Sequence, residues 1–292
     1  MSKIAIVTDS NSGISQKQAA ELGNVFVIPM PFTINDETYF EDINLTVLEF
    51  YEKMNEGANI TTSQPSPESV MSLWDKLFAD YEEIVHIPMS SSLSGSCQSA
   101  MMLAMDYDDK VQVVNNQKIS VTQRQSVLDA MELARRGKTA AEIKEILEAD
   151  RFNSSIYIML DTLHYLKKGG RITPAAAALG TLLRLKPVLQ IQGEKLDAFA
   201  KARTTTQGKS IMMTAIKNDL ETRFGGISNK NYILQVAHTQ NEPAAMALKE
   251  ELSQLYPGTD IYVDDLSLSV ACHIGPGSLA IACCQTLKYD TL

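Results

Sequence analysis

Short runs of β-branched and aliphatic residues alternate with stretches of helical period along the first half of the chain. Ile4 to Thr8 precedes Ser15 to Leu22, and Val25 to Pro29 precedes Leu45 to Asn55. Such alternation predicts strand–helix–strand units and a parallel sheet. Ser66 to Phe78 reads as a helix with Pro67 in its first turn, followed by a strand at Glu83 to Pro88 and a helix at about Gly95 to Met105. Val111 to Val114 reads as a further strand. Two charged amphipathic helices follow, Val121 to Arg135 and Thr139 to Ala149, the second opened by a Thr139…Glu142 capping box.

The second half continues the mixture. Ser155 to Leu160 reads as a strand and Asp161 to Lys168 as a short helix stopped by Gly169-Gly170. Thr173-Pro174 restarts a helix through the alanine-rich run from residue 175 to 183. Pro187 to Ile191 and Leu196 to Ala200 flank a turn at residues 192–195 and read as a hairpin. Helices at Thr206 to Phe224 and Pro243 to Leu255, with β segments at Tyr232 to Ala237, Thr259 to Val263 and Leu279 to Cys283, complete the pattern. The fold expected is two α/β domains: an N-terminal parallel sheet with flanking helices and a C-terminal mixed sheet with helices. Element order alone puts the division between residues 1–155 and 156–292.

Composition narrows the function classes. The 292 residues suit two modest domains, and 45% hydrophobic against 21% charged residues is enough to build a core. A net charge of −9 without a run of five basic residues argues against nucleic acid. The N-terminal stretch MSKIAIVTDS lacks the apolar core of a secretory signal, and no apolar run has the length of a membrane span, so the cytoplasm is the expected location. Cys97, Cys272, Cys283 and Cys284 are scattered, without zinc spacing, and read as buried free thiols.

Ligands of open parallel sheets bind beyond the carboxyl ends of the strands. Three hydroxyl-rich segments are expected near such ends: Thr8-Asp9-Ser10-Asn11-Ser12-Gly13, Thr61-Thr62-Ser63-Gln64-Pro65-Ser66-Pro67 and Ser90 to Ser96. A hydroxyl loop that opens a helix offers O–H and N–H donors to a carboxylate or phosphate, although helix capping is the ordinary use of such residues. His273, between Cys272 and the glycines of Ile274-Gly275-Pro276-Gly277, could donate to an anion or be structural; His86, His164 and His238 carry weaker signals. Leu166 to Thr173, with Lys167, Lys168 and Arg171, reads as a solvated helix end, and Lys201, Arg203 and Lys209 form a second basic cluster. Gly208-Lys209-Ser210 fails as a P-loop because Arg203 stands where glycine is required. Ser94 lacks the G-x-S-x-G setting of a nucleophile elbow, since Ser92 and Ser96 replace both glycines. Asp9 has a mild claim as an acid and an equally good one as a cap. No metal motif is present, so the expectation is no catalytic residue, no metal and no cofactor.

The series Val7-Thr8-Asp9-Ser10, Thr62-Ser63-Gln64-Pro65-Ser66, Ser91-Ser92-Leu93-Ser94-Gly95-Ser96 and Leu163 to Arg171 continues through Lys186-Pro187, Lys201-Ala202-Arg203 and His273 to Gly277. In that order it resembles the DegV family, including the fatty-acid-binding subunits of bacterial fatty acid kinase, over essentially the whole chain. Ser96 stands where the family motif often has Thr. The resemblance implies a long-chain fatty acid as bound ligand in a lipid tunnel between the two domains. Its carboxylate would be held by Thr61, Thr62, Ser63, Ser94, Gly95 and His273. It further implies a separate fatty acid kinase catalytic subunit as partner, met by Arg171 and Arg203. That kinase would make the acyl phosphate used in phospholipid synthesis, with room for transient membrane contact. The rival readings are an acyl hydrolase or small-molecule phosphotransferase using Ser94 and His273, and a regulatory protein in which lipid is only structural.

Overall fold

The computed structural model describes residues 3–175, 185–193 and 196–291. The chain packs as two compact units. One runs to Arg151 and takes in Ser267–Ser269; the other comprises Phe152–Leu266 and the residues from Val270 onward.

In the first unit the strands β1 (Ile4–Asp9), β2 (Val25–Ile28), β6 (Glu83–Ile87) and β7 (Val111–Val113) form a sheet in the order β2-β1-β6-β7. Every pairing in it is parallel. All six residues of β1 are buried, as expected for a central strand covered on both faces. Helices α1 (Gln16–Leu22), α3 (Pro67–Leu77), α4 (Ser96–Ala104), α5 (Val121–Arg135) and α6 (Ala140–Ala149) connect or follow the strands. One apolar cluster joins Ala5, Val7, Ile28 and Ile84 of the sheet to Val70 and Trp74 of α3 and Cys97 and Ala100 of α4. Sequence placed these helices well because their starts are chemically marked. Ser66 caps α3 ahead of Pro67, and Thr139 and Glu142 form the expected reciprocal capping box on α6.

The expectation that the segment from Thr61 to Pro67 leaves a strand of the parallel sheet needs correction. Pro31–Ile34 (β3), Glu37–Phe40 (β4) and Ile60–Thr62 (β5) form a separate antiparallel sheet in the order β4-β3-β5, with α2 (Val47–Asn55) between β4 and β5. Asn35 and Asp36 make the β3–β4 turn with φ of 48° and 72°, the left-handed pair that a two-residue hairpin requires. Thr61 and Thr62 are therefore not at a carboxyl end of the parallel sheet.

The second unit holds a six-stranded mixed sheet, β10-β9-β8-β13-β11-β12, with β8 at Ser154–Met159, β9 at Lys186–Ile191, β10 at Asp197–Ala202, β11 at Tyr232–His238, β12 at Ile261–Asp265 and β13 at Leu279–Gln285. The β9–β10 pair is the expected antiparallel hairpin, and β11–β12 is the one parallel pairing among the described strands of this sheet. Helix α7 (His164–Gly169) ends on Gly170, whose φ of 67° supplies the left-handed cap. Helices α8 (Thr205–Thr222) and α9 (Glu242–Leu255) pack Met212, Ile216, Leu220, Leu248 and Leu252 into a core with Val188, Val236 and Ile281. Gly208 lies inside α8, where a Cβ would strike the Met159 side chain, so the Gly-Lys-Ser sequence there serves close helix–sheet packing. Residues 176–184 of the alanine-rich run and 194–195 of the hairpin turn lie outside the described residues.

Helix α10 (Leu268–Ile274) was not expected; sequence placed His273 in a glycine-flanked loop. His273 instead occupies the last turn of α10, and Gly275 follows with φ of 76°. The four cysteines are free and buried, as read from sequence. Among the described residues no helix is long and apolar enough to cross a membrane.

Candidate functional site

The loop after β1 is a closed polar knot. Asp9, 2% exposed, accepts from the Asn11 amide at 3.0 Å and from Asn11 Nδ2 at 2.9 Å, while the Met89 amide donates to its other oxygen at 2.8 Å. Gln123 of α5 donates to both Thr8 Oγ1 (3.0 Å) and Asp9 Oδ1 (3.2 Å). Burial raises the Asp9 carboxyl above its usual range, against the opposing pull of these donors. Ser12 donates back to the Asp9 carbonyl, Ser10 accepts from the Met30 amide, and Ser269 donates to Asn11 Oδ1. These hydroxyls and Asp9 are engaged in holding the ends of β1 and β6 together, which is the capping use that sequence weighed for them.

The second and third hydroxyl segments meet. Thr61 and Thr62 pair with Thr33 and Phe32 of β3, and the Ser63 amide donates to the Pro31 carbonyl at 3.2 Å. Successive strand residues face opposite ways, so Thr61 is exposed and Thr62 half-buried. Gln64 then reaches α4: its Nε2 donates to Ser99 Oγ at 2.9 Å, and its Oε1 lies 2.9 Å from the position a Cβ would take at Gly95. Gly95 is the N-cap of α4 and brings no side-chain cap, while half-buried Ser94 accepts the Ser96 amide at 3.2 Å. Gln64 thus meets Gly95 and Ser99 at the start of a nine-residue helix, with Ser94 beside Gly95 and Ser63 beside Gln64 in the sequence. Sequence carried no role for Gln64; the signal lay in its place directly after the hydroxyl run.

Beside this helix start lies a cavity of about 10 Å³ lined by Ile28, Pro65, Val70, Ala100 and Leu103 together with Asp9, His86, Ser96 and Ser99. His86, on β6, stacks edge-on to Trp74 at 5.5 Å, and burial pulls its imidazole down to about 3. It is neutral at pH 7.

In the second unit, Arg171 and His273 come together. Arg171 Nη1 donates to the Gly169 carbonyl, and a Cβ at Gly169 would lie 2.5 Å from His273 Nδ1, so the imidazole packs directly on the end of α7. Burial, and secondarily the Arg171 charge, pulls His273 down to about 4. A neutral ring presents one N–H donor and one acceptor. Exposed Arg203 stands apart from this pair in sequence, where β10 gives way to α8, and its amide donates to Gln207 Oε1 at 2.8 Å. His238 ends β11 and accepts the Asn241 amide at 3.3 Å; His164 opens α7 on the surface. Among the described residues no group of three or more His, Cys, Asp or Glu side chains is placed to hold a metal ion.

Residues 3–286 match the DegV family model. The chain is 30% identical to the protein DegV of Bacillus subtilis over 285 residues, covering 96% of this chain and 99% of that one. It is similar to a structure describing fatty acid binding of a DegV family protein from Thermus thermophilus, with 31% identity, TM-score 0.88 and coverage of 97% and 99%. It is also similar to the structure of DegV, a fatty acid binding protein from Bacillus subtilis, with 29% identity, TM-score 0.85 and coverage of 98% and 100%.

Proposed function

The chain belongs to the DegV family, and from that premise we propose that it binds one long-chain fatty acid and presents the carboxylate to a separate fatty acid kinase. The observation that carries this reading is the likeness, over nearly the full length of both chains, to two DegV proteins described as fatty-acid-binding. The site chemistry supports it. Burial of an acyl chain contributes about 0.8 kcal/mol per CH₂, so apolar walls supply the affinity. A carboxylate drawn out of water needs several donors, or it is protonated or excluded.

In this reading Thr61, Thr62, Ser63, Ser94 and Gly95 are the carboxylate-binding groups of the first unit, and His273 is the one of the second. The depressed proton affinity of His273 suits the role of a neutral donor that does not trap its ligand in an ion pair. Arg171 and Arg203 are the basic groups that meet the kinase or the acyl phosphate. The chain is then a carrier, and the phosphoryl transfer belongs to the partner.

Native mass spectrometry of the purified protein, followed by denaturing lipid extraction, tests the first half. One fatty acid per chain is the expected result. A protein that carries none and also ignores added fatty acid overturns the proposal and returns Ser94 and His273 to the hydrolase reading, which Ser94→Ala would then test. For the second half, Arg203→Ala should bind fatty acid normally and yield less acyl phosphate in the presence of kinase; equal loss of lipid by Arg203→Ala and Ser94→Ala would refute the division of roles.

A further inference from the structure

Three close approaches in the second unit form one ladder. The His273 imidazole fills the space of a side chain at Gly169, and the Tyr165 ring fills that of Gly275, where a Cβ would lie 2.5 Å from Cε2. The Asp161 carboxylate lies 2.9 Å from the Cβ position of Gly277. Read along the chain, 161, 165 and 169 on one side meet 277, 275 and 273 on the other. The two segments therefore run in opposite directions and dovetail, a bulky group over a residue with no side chain at every rung. Tyr165 and Gly169, four apart in α7, share the helix face that makes this fit.

The glycine side is anchored independently of α7. The Gly275 carbonyl accepts from Thr239 Oγ1 at 2.7 Å, the Gly277 amide donates to the Thr239 carbonyl at 2.7 Å, and Asn241 Nδ2 donates to the Gly277 carbonyl at 3.1 Å. α7 is held less firmly, because six residues are too few for a helix to persist without tertiary contacts. Buried Leu163 and Leu166 hold it down without fixing its register, and the Lys186–Asp161 pair at 2.6 Å is partly solvated and contributes little. The seat of Tyr165 is then the contact that sets the register. Gly275, with φ of 76°, keeps that seat open in a conformation that other residues adopt only with strain.

We propose that Tyr165 is a positioning residue: seated on Gly275, it fixes α7 so that Gly169 stays against His273, and the imidazole is thereby held where it can donate to the acyl carboxylate. This role rests on the fatty-acid reading of His273 and adds the device that keeps that donor in place. The ring carries the contact, since Cγ, Cδ2 and Cε2 are the atoms that meet Gly275. A phenylalanine can therefore take its place. A smaller or branched side chain cannot fill the same flat seat.

The test is a double-mutant cycle on the delipidated full-length protein titrated with stearic acid. Tyr165→Ala should weaken binding about tenfold, as His273→Ala should, and should add almost nothing in the His273→Ala background. Tyr165→Phe should bind like the native chain. Tyr165→Leu, which keeps apolar bulk without a flat ring, should repeat the alanine pattern and serves if Tyr165→Ala does not fold. Losses that multiply across the cycle, or a Tyr165→Phe variant as weak as Tyr165→Ala, would overturn this role alone: the side chain would then act apart from His273 or through its hydroxyl. A native chain that takes up no stearic acid, or a His273→Ala variant that binds it undiminished, would overturn the carboxylate reading of His273 and the role of Tyr165 with it.

Discussion

Gln64 Nε2 donates to Ser99 Oγ at 2.9 Å while the Oε1 of the same amide rests 2.9 Å from the Cβ position of Gly95. The side chain is held by a hydrogen bond on one side and by the lack of a side chain at Gly95 on the other. Gly95→Ala should therefore dislodge Gln64 at little cost in stability, since the clashing atom is the far end of a flexible side chain. Thermal melting should change little, while dissociation of a bound fluorescent fatty acid speeds up several-fold. An unchanged dissociation rate would show that this bond does not govern ligand exchange.

A parallel relation holds His273 in place. Its ring fills the space that a side chain at Gly169 would need. Gly169→Ala should push the imidazole out of position and reproduce the effect of His273→Ala, lowering fatty acid affinity by about tenfold, the scale of one hydrogen bond to a charged group. Isothermal titration of the two variants side by side checks this; normal affinity in Gly169→Ala would separate the ring's position from binding.

Acid should destabilise the protein before its carboxylates titrate. His86 is held down to about 3 and His273 to about 4, against an ordinary value of 6.5, so the unfolded chain binds protons that the folded chain refuses. The contribution is fully present above pH 6.5 and is lost as pH falls, through about 4 for His273 and about 3 for His86. Within its window a fully buried histidine gives a slope of about 1.4 kcal/mol per pH unit, and partly exposed His273 gives less. Asp9 works the other way: its raised carboxyl favours the fold at low pH and loses that contribution as pH climbs through its elevated value. Denaturant midpoints from pH 7 to 4 should fall for the native sequence, and His86→Phe should remove the larger part of the slope.

Lys118, 1% exposed, pairs with Asp150 at 2.6 Å inside the first unit. Asp150→Ala would leave a buried ammonium without its carboxylate and should cost about 3–5 kcal/mol in urea unfolding. Lys118→Met combined with Asp150→Leu should recover much of that loss; a single substitution as mild as the double would mean that water reaches the ammonium.

Much of the architecture was readable because it is written locally. Thr139 and Glu142 mark the start of α6, Ser66 and Pro67 mark α3, and Gly170 marks the end of α7. The β3–β4 hairpin was equally marked by Asn35-Asp36, and β3 alternates half-buried and buried positions, yet β4 carries no buried residue. α10 escaped because Gly275 and Gly277 draw attention to the turn after His273 rather than to the seven residues before it. Among the candidate residues, Ser94 and His273 stood out as residue types, but their neighbours did not. Gln123 binds Asp9 from 114 residues away and Gln64 binds Ser99 from 35, contacts that no local pattern announces. His86, within a strand, carried only a weak signal in the sequence; its burial and its orphaned nitrogen are what single it out.

The buried thiols give the two units separate chemical stopwatches. Alkylating reagents attack the thiolate, and burial pushes Cys97 up to about 11 and Cys283 well above its ordinary value. Cys97 sits on α4 against Ala100 and Trp74, whereas Cys283 lies mid-strand in β13 between β8 and β11. Iodoacetamide should therefore label neither until its surroundings open, and the mass added at each cysteine over time would measure how often each unit exposes its interior. Addition of a fatty acid that slows the Cys97 reaction but leaves Cys283 unaffected would locate, without any substitution, the unit that the ligand holds shut.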